Sequence, residues 1–233
     1  MTAQDAELTA RLDAFEALLV EAERHGLDQD SYERIESTRL ALGTALEAAP
    51  AATARLAGRV FRLLTLEHST THQLTDPLIG AIGHRAVLEG LIPLLEQGSW
   101  ERRRNAAAAA YFLPARRDPA PLAALRARYR DGSVDGEQLR EQYREALRLA
   151  HQPAEPYADL YPRFWLAAAA CFTACPDRQV RQHLAPAFPL EHPDHLPQAA
   201  PLLAEARRIA EREPELDGHR RLLAGSTGYG AAL

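Results

Sequence analysis

The spacing of apolar residues predicts helices along most of the chain. In the first segment Leu8, Leu12, Phe15 and Leu19 recur three or four residues apart, which is the period of one helical face, and Gly26 follows as a stop. No segment alternates apolar and polar residues in the way that a half-buried strand does. The pattern therefore predicts an all-α fold.

The same period, interrupted by Pro and Gly, predicts further helices up to residue 223. Asp30 and Ser31 are good N-cap types for the second helix, and Ser99 is one for the helix that carries Trp100 and Tyr111. Gly80, Gly83 and Pro93 predict two short helices or one kinked helix over 76–98. The other predicted helices cover 51–67, 119–130, 135–151, 156–175, 177–188, 197–212 and 214–223. Helices of this length joined by short turns are typical of a bundle or of a stack of helix pairs.

A recurring arginine favours the stack of helix pairs. When the starts of the second helices are aligned, arginines recur 36, 41 and 40 residues apart, close to the period of two-helix repeats. They are Arg104, Arg140, Arg181 and Arg221. Around Arg181 the sequence also has Asp177 before the helix and the aliphatic Val180.

Asp177, Val180 and Arg181 resemble the HEAT-repeat pattern, in which an Asp precedes the second helix and an Arg follows an aliphatic residue. The resemblance covers residues 78–223, and residues 1–70 are assigned to the same array by continuity only. It implies one domain over 1–223, a HEAT-like α-solenoid of stacked antiparallel helix pairs, followed by a flexible tail over 224–233. An irregular helical bundle stays open as the alternative.

Composition and charge narrow the classes of partner. All 27 basic residues are arginine, and the formal net charge is -5, which favours solubility over a surface built throughout for nucleic acid or anionic membrane. The acidic start lacks the features of a secretory signal, so a cytoplasmic location is expected. Gly, Pro and charged residues interrupt the apolar stretches, and we expect no membrane span.

Residues that could carry catalysis or bind metal do not form a recognisable set. The histidines of the pairs His68/His72 and His192/His195 flank polar or Pro-containing connections rather than stiff helices. Cys171 and Cys175, four residues apart in an apolar segment, are expected to be buried thiols. We therefore predict no catalytic residues, no metal site and no cofactor.

The predicted function is binding of another protein on the concave face of the array, because stacked repeats leave one extended face free for recognition. The candidate contact residues are large or charged groups near the starts of repeats: Trp100, Arg102, Arg103, Tyr143, Arg144, Arg163 and Trp165. The alternative for Trp100, Phe164 and Trp165 is a purely structural role as core aromatics.

A second function is kept as an alternative. The segment Trp100-Glu101-Arg102-Arg103-Arg104 resembles the Trp-x-x-Arg-Arg segment of HEAT-like DNA glycosylases that remove alkylated purines. That resemblance implies binding of damaged DNA by aromatic residues and arginines, with an Asp near the damaged base. The sequence has no Asp beside Trp100, and its net charge is acidic where a phosphate-binding groove is basic.

Overall fold

The computed structural model describes residues 2–26, 28–66, 72–111, 113, 124–125, 127–128, 142, 159–188 and 196–225. Within these ranges the chain is all-helical and contains no strand, which confirms the predicted all-α class. The helices are α1 (Ala3–His25), α2 (Gln29–Ala48), α3 (Pro50–Arg55), α4 (Ala57–Leu66), α5 (His72–Gln97), α6 (Trp100–Ala110), α7 (Tyr161–Ala174), α8 (Arg178–Leu184), α9 (Ala199–Arg212) and α10 (Asp217–Ala224). A short 3₁₀ turn, Ala185–Ala187, follows α8.

Side-chain caps fix several helix starts. Thr2 and Asp5 form a capping box at α1, and Ser99 and Asp177 accept hydrogen bonds from the first backbone N–H groups of α6 and α8, as the sequence predicted for Ser99. The N-cap of α2 was predicted at Asp30 or Ser31, but it lies two residues before Asp30, at Asp28, whose side chain accepts the Ser31 N–H. These four helices, α1, α2, α6 and α8, therefore begin where a short polar side chain can reach the exposed donors.

Two predicted helices are interrupted. The segment predicted as one helix over 51–67 is divided into α3 and α4 at Leu56. In α5 the break lies at Gly83, whose φ of 84° and ψ of 157° belong to a region that essentially only glycine adopts. Pro93 lies inside the second half of α5 without a comparable break. The segment thus consists of two helical parts joined at a kink at Gly83, which agrees with both predicted alternatives.

Helices α7, α9 and α10 start later than was predicted from the positions of the prolines. Helix α7 begins at Tyr161 rather than at 156, and α9 and α10 begin two and three residues after Pro197 and Pro214, which lie in turns. The helices predicted over 119–130 and 135–151 lie almost entirely outside the described residues, as do Arg140 and the residues from 226 onwards.

The described helices pack as two layers. The first layer contains α2, α5, α7 and α9, and the second contains α1, α4, α6, α8 and α10; neighbours contact one another in that order within each layer. Helices of the two layers also pack across a common core, as in the pairs α5 with α6, α7 with α8 and α9 with α10. The α5–α6 pair contacts the α7–α8 pair directly, although residues 111–160 separate them in sequence.

Contacts at several points show that three pairs of neighbours within a layer run parallel. Between α1 and the α3–α4 segment, Asp5 pairs with Arg55, Asp13 with Arg59 and Glu16 with Arg62, so the residue numbers rise together on both sides. Between α8 and α10, Gly218 meets Gln182 and Arg221 bonds the carbonyl of Ala185. Between α5 and the α7 segment the order is the same, from Arg85–Asp159 to Glu96–Arg163.

Helix α5 lies in the middle of the core. Among the described helices it is the one long and apolar enough, by length and composition alone, to cross a membrane, although its interruptions had predicted otherwise. Its fully buried Leu88, Leu91 and Leu95 pack into the same core cluster as Phe164 and Phe172 of α7. Packing against α2, α6 and α7 accounts for its apolar side chains.

Candidate functional site

The residues predicted to bind a partner fall on two neighbouring helices. Trp100, Arg102 and Arg103 lie in the first turns of α6, and Arg163 and Trp165 lie in the first turns of α7. Tyr143 and Arg144 lie outside the described residues. Helix α6 belongs to the second layer and α7 to the first, so the five described residues are not all presented by the same layer.

Arg103 is held by contacts on three sides. Its Nε donates to the carbonyl of Gly98 at 2.7 Å, Nη1 lies 3.7 Å from the sulfur of Cys171, and its guanidinium lies 4.6 Å from the ring centroid of Trp100. Trp100 is half-buried and packs against the core. Arg103 and Trp100 thus join the α5–α6 turn to α7, and a guanidinium over an indole ring adds about 0.5–1 kcal/mol at such a site.

Arg102 differs from its neighbour in being exposed. Its backbone N–H is capped by the Ser99 hydroxyl at 3.4 Å, but its guanidinium has no bonded partner in the part of the chain that the structure describes. Of the five described candidates, Arg102 has the side chain most available to a partner.

Arg163 is exposed but paired. Its guanidinium donates two hydrogen bonds to Glu96, at 2.8 and 2.7 Å, and this pairing lowers the pKa of the Glu96 carboxyl. Arg85 bonds Asp159 in the same bidentate way, at 2.8 and 2.9 Å, and lowers the pKa of that carboxyl. Each of the two segments thus gives one arginine and one carboxylate to the other, and Arg163 would have to leave Glu96 to bind a partner.

The aromatic residues of α7 have different exposures. Phe164 is completely buried, as the structural alternative requires, whereas Trp165 is half-buried and stacks on Tyr161 with 5.9 Å between ring centroids. The indole Nε1 of Trp165 is buried and has no hydrogen-bond partner within the described ranges. Tyr111, which follows the last residue of α6, is 57% exposed, whereas Ala106, Ala107 and Ala110 are buried.

The arginine register differs by one residue from the sequence prediction. Measured from the N-caps Ser99 and Asp177, the residue equivalent to Arg181 is Arg103 rather than Arg104. The contacts agree, since Nη1 of Arg181 donates to the carbonyl of Cys175 at 2.7 Å, just as Arg103 donates to Gly98. Arg104 instead bonds the side chain of Asn105, at 3.0 Å.

Sequence reasoning missed a buried polar cluster beside Arg181. The second guanidinium nitrogen of Arg181 pairs with Glu213 in the turn before α10, and His219 Nε2 lies 3.2 Å from the other Glu213 oxygen. His219 has no exposed surface and its ring lies 5.1 Å from that of Phe172. The available signal was weak: a lone histidine two residues after Asp217, at the start of a short amphipathic helix.

The cysteines have the properties that the sequence predicted. Cys171 and Cys175 are buried and are not joined by a disulfide, and the thiol of Cys171 donates to the carbonyl of Leu95 at 2.9 Å. Burial raises the pKa of both thiols, which disfavours the reactive thiolate. Among the described residues, no group of three or more His, Cys, Asp or Glu side chains is arranged to hold a metal ion.

No family model, curated protein sequence or solved structure matches this chain. A function is therefore inferred from the geometry of the helices and from the side chains they expose.

Proposed function

We propose that the protein is a HEAT-like α-solenoid that binds another protein on an extended face of its two-layered array. The observation that carries this proposal is the parallel order of three pairs of neighbouring helices, α1 with α4, α5 with α7 and α8 with α10. In an up-and-down bundle, neighbouring helices are antiparallel around one axis, whereas stacked helix pairs bring equivalent helices side by side in the same direction.

The two equivalent arginines support the repeat interpretation. Arg103 bonds the turn of its own helix pair through Gly98 and reaches Cys171 in the next pair. Arg181 bonds its own turn through Cys175 and reaches Glu213 in the pair that follows. One side chain thus has the same function twice: it fixes a turn and links that pair to the next.

We assign the recognition face to the second layer, the one that contains α6 and α8. This layer exposes Arg102, and it also exposes polar side chains of α8 such as Gln179 and His183. In the first layer the most exposed arginines near α6, Arg85 and Arg163, are held in bidentate pairs across α5 and α7. A partner can contact Arg102 without breaking an ion pair.

Charge pairing favours a protein partner over DNA. The described arginines at the outer surface of the second layer are mostly neutralised by carboxylates, as in Arg59–Asp13, Arg178–Glu215 and Arg220–Asp217. A surface for phosphates needs several arginines that are free to displace counterions. Among the described residues the pairing gives no such surface, and the net charge of the chain is acidic, at -5.

Site-specific photocrosslinking would test the assignment. A photoreactive amino acid replaces Arg102 in the second layer or, as the matched control, the exposed Leu40 in the first layer, and each full-length variant is irradiated in extract of the native host. We expect a discrete protein adduct from position 102 that an excess of unlabelled wild-type chain suppresses, and no such adduct from position 40.

Binding of duplex DNA at different salt concentrations tests the alternative function. If the DNA-binding alternative is correct, duplex DNA should bind at low salt and its affinity should fall steeply as salt rises. Such binding, or equal adducts from both positions, would contradict the proposed function.

A further inference from the structure

His219 is a buried titratable side chain that the proposed binding face does not use. It lies near the start of α10, where α10 meets α7, α8 and the turn that contains Glu213. None of its surface is exposed. Gly218, its neighbour, brings the α10 backbone so close to α8 that a β-carbon there would clash with the carbonyl oxygen of Gln182.

Charged groups of both signs surround the imidazole. The turn before α10 contributes Glu213 and Glu215, and α8 contributes Arg178 and Arg181. Arg181 and Glu213 already pair with each other, and Arg178 pairs with Glu215 at 3.0 Å. From α7 the contact is the apolar ring of Phe172. The charges around a neutral His219 are therefore balanced in pairs.

A proton added to His219 would disturb this balance. Nε2 lies 3.2 Å from a Glu213 carboxylate oxygen, but both ring nitrogens and that oxygen are buried without a hydrogen-bond partner in the described structure. The neutral ring can leave Nδ1 as an unprotonated acceptor, whereas the imidazolium makes both nitrogens donors. A buried N–H without an acceptor, next to the cationic Arg181, destabilises the packing of α10 against α7 and α8.

We propose that His219 is an acid-sensitive latch, whose protonation releases the α9–α10 pair from α7 and α8 while α1 to α6 stay folded. The release is local because the main contacts of α9 and α10 outside their own pair are with α7, α8 and the 3₁₀ turn, and α1–α5 pack through a different part of the core. The proposal does not depend on the proposed function.

The direction of the pH effect follows from burial. Burial lowers the pKa of His219 below its usual value of 6.5, with the field of Arg181 acting in the same sense and that of Glu213 opposing it. The unfolded chain therefore takes up the proton more readily than the folded chain. The stability that the neutral ring provides is complete above pH 6.5 and is lost as the pH falls from there toward the lower folded pKa.

Hydrogen exchange on the full chain tests the latch. Amide exchange, corrected for its intrinsic pH dependence, is followed by mass spectrometry from about pH 7.5 to about pH 5, a range that spans the ordinary histidine pKa. We expect exchange in peptides from 199–224 to rise about tenfold per unit of pH below the onset, as for single-proton linkage, with no corresponding rise in α1 and α2. A C-terminal pair that stays protected throughout, or a chain that opens everywhere at once, would overturn the proposal.

Four variants show whether His219 is the titrating group. His219→Phe, and His219→Gln if the larger ring does not fit, should abolish the pH dependence of exchange in α9 and α10. His25→Gln, at the exposed end of α1, is the control and should leave it unchanged. Glu213→Gln removes the carboxylate that favours the proton, so it should lower the folded pKa further and extend the rise in exchange to lower pH, with the onset unchanged, if Arg181 remains in place. Acid release that persists in both His219 variants would assign the effect to another group.

Discussion

The N-terminal and C-terminal ends of the described structure join parallel helices of the second layer by different means. At the N-terminal end, α1 is tied to α3 and α4 by three ion pairs that each have one exposed partner, such as Asp13 in its pair with Arg59. At the C-terminal end, α8 and α10 are tied by Arg181, Glu213 and His219, which are buried or nearly so, and by the close approach at Gly218. Exposed pairs are replaceable, but a buried polar cluster must keep every partner.

The largest effect is expected for Arg181→Ala. The side chain is buried and bonds both Cys175 and Glu213, so its removal leaves a carbonyl and a carboxylate without their donor. We expect the free energy of unfolding to fall by about 3 kcal/mol, as for one partner of a buried pair. The matched control is Arg178→Ala, whose exposed pair with Glu215 should contribute less than about 1 kcal/mol. Urea denaturation of the two variants and the wild type would measure both losses in the free energy of unfolding. Equal losses in the two variants would remove the distinction between the ends.

Gly218→Ala should have the next largest effect. The added methyl group meets a backbone oxygen of α8, which cannot rotate away as a side chain can, so α10 must shift. We expect a loss of about 2 kcal/mol, typical of overpacking. Gly58→Ala in α4 is the matched control, because no atom outside its own helix lies within 4 Å of the new methyl. There the higher helix propensity of alanine should raise stability by up to about 1 kcal/mol.

The residues of the C-terminal cluster show how far the sequence could lead. The all-α class, the Ser99 cap, the break in the 76–98 segment and the burial of both cysteines follow from local patterns and are confirmed. The Arg181–Glu213–His219 cluster could not be predicted, because its members are 32 and 6 residues apart and meet only when two helix pairs pack. Local periodicity carries no information about that contact.

The predicted binding residues show a second limit. Arg102, Arg103 and Arg104 look equivalent in the sequence, yet one is exposed, one bonds Gly98 and one bonds Asn105. Successive helical positions point about 100° apart, so the exposure and the partners of each arginine depend on which helices surround α6. The one-residue error in the arginine register has the same origin, since the N-cap and not the arginine run sets the start of the helix.

Acid should weaken the two ends in different pH ranges. At the N-terminal end, the hydrogen bond from Arg55 and the capping bonds of Thr2 lower the pKa of Asp5 to about 2. The stability that ionised Asp5 provides is therefore present above about pH 4, the ordinary Asp value, and is lost as the pH falls toward 2. Exchange in α1 should rise only in that lower range, well below the range of His219. Asp5→Asn should remove the transition, and an α1 that opens together with α10 near pH 6 would contradict the separation.

The smallest effect is expected for the exposed pair Arg59–Asp13. Arg59 also lies 3.9 Å from Glu16, so loss of Asp13 leaves its guanidinium near a second carboxylate and in contact with water. We expect Asp13→Asn to change the free energy of unfolding by no more than about 0.5 kcal/mol, and the coupling in a double-mutant cycle with Arg59→Gln to be equally small. The same cycle on Glu213→Gln and Arg181→Gln should give a coupling of at least about 1 kcal/mol, because burial leaves no water to replace the lost partner. Raising the salt concentration should reduce the first coupling more than the second, since salt screens exposed charges far more than buried ones.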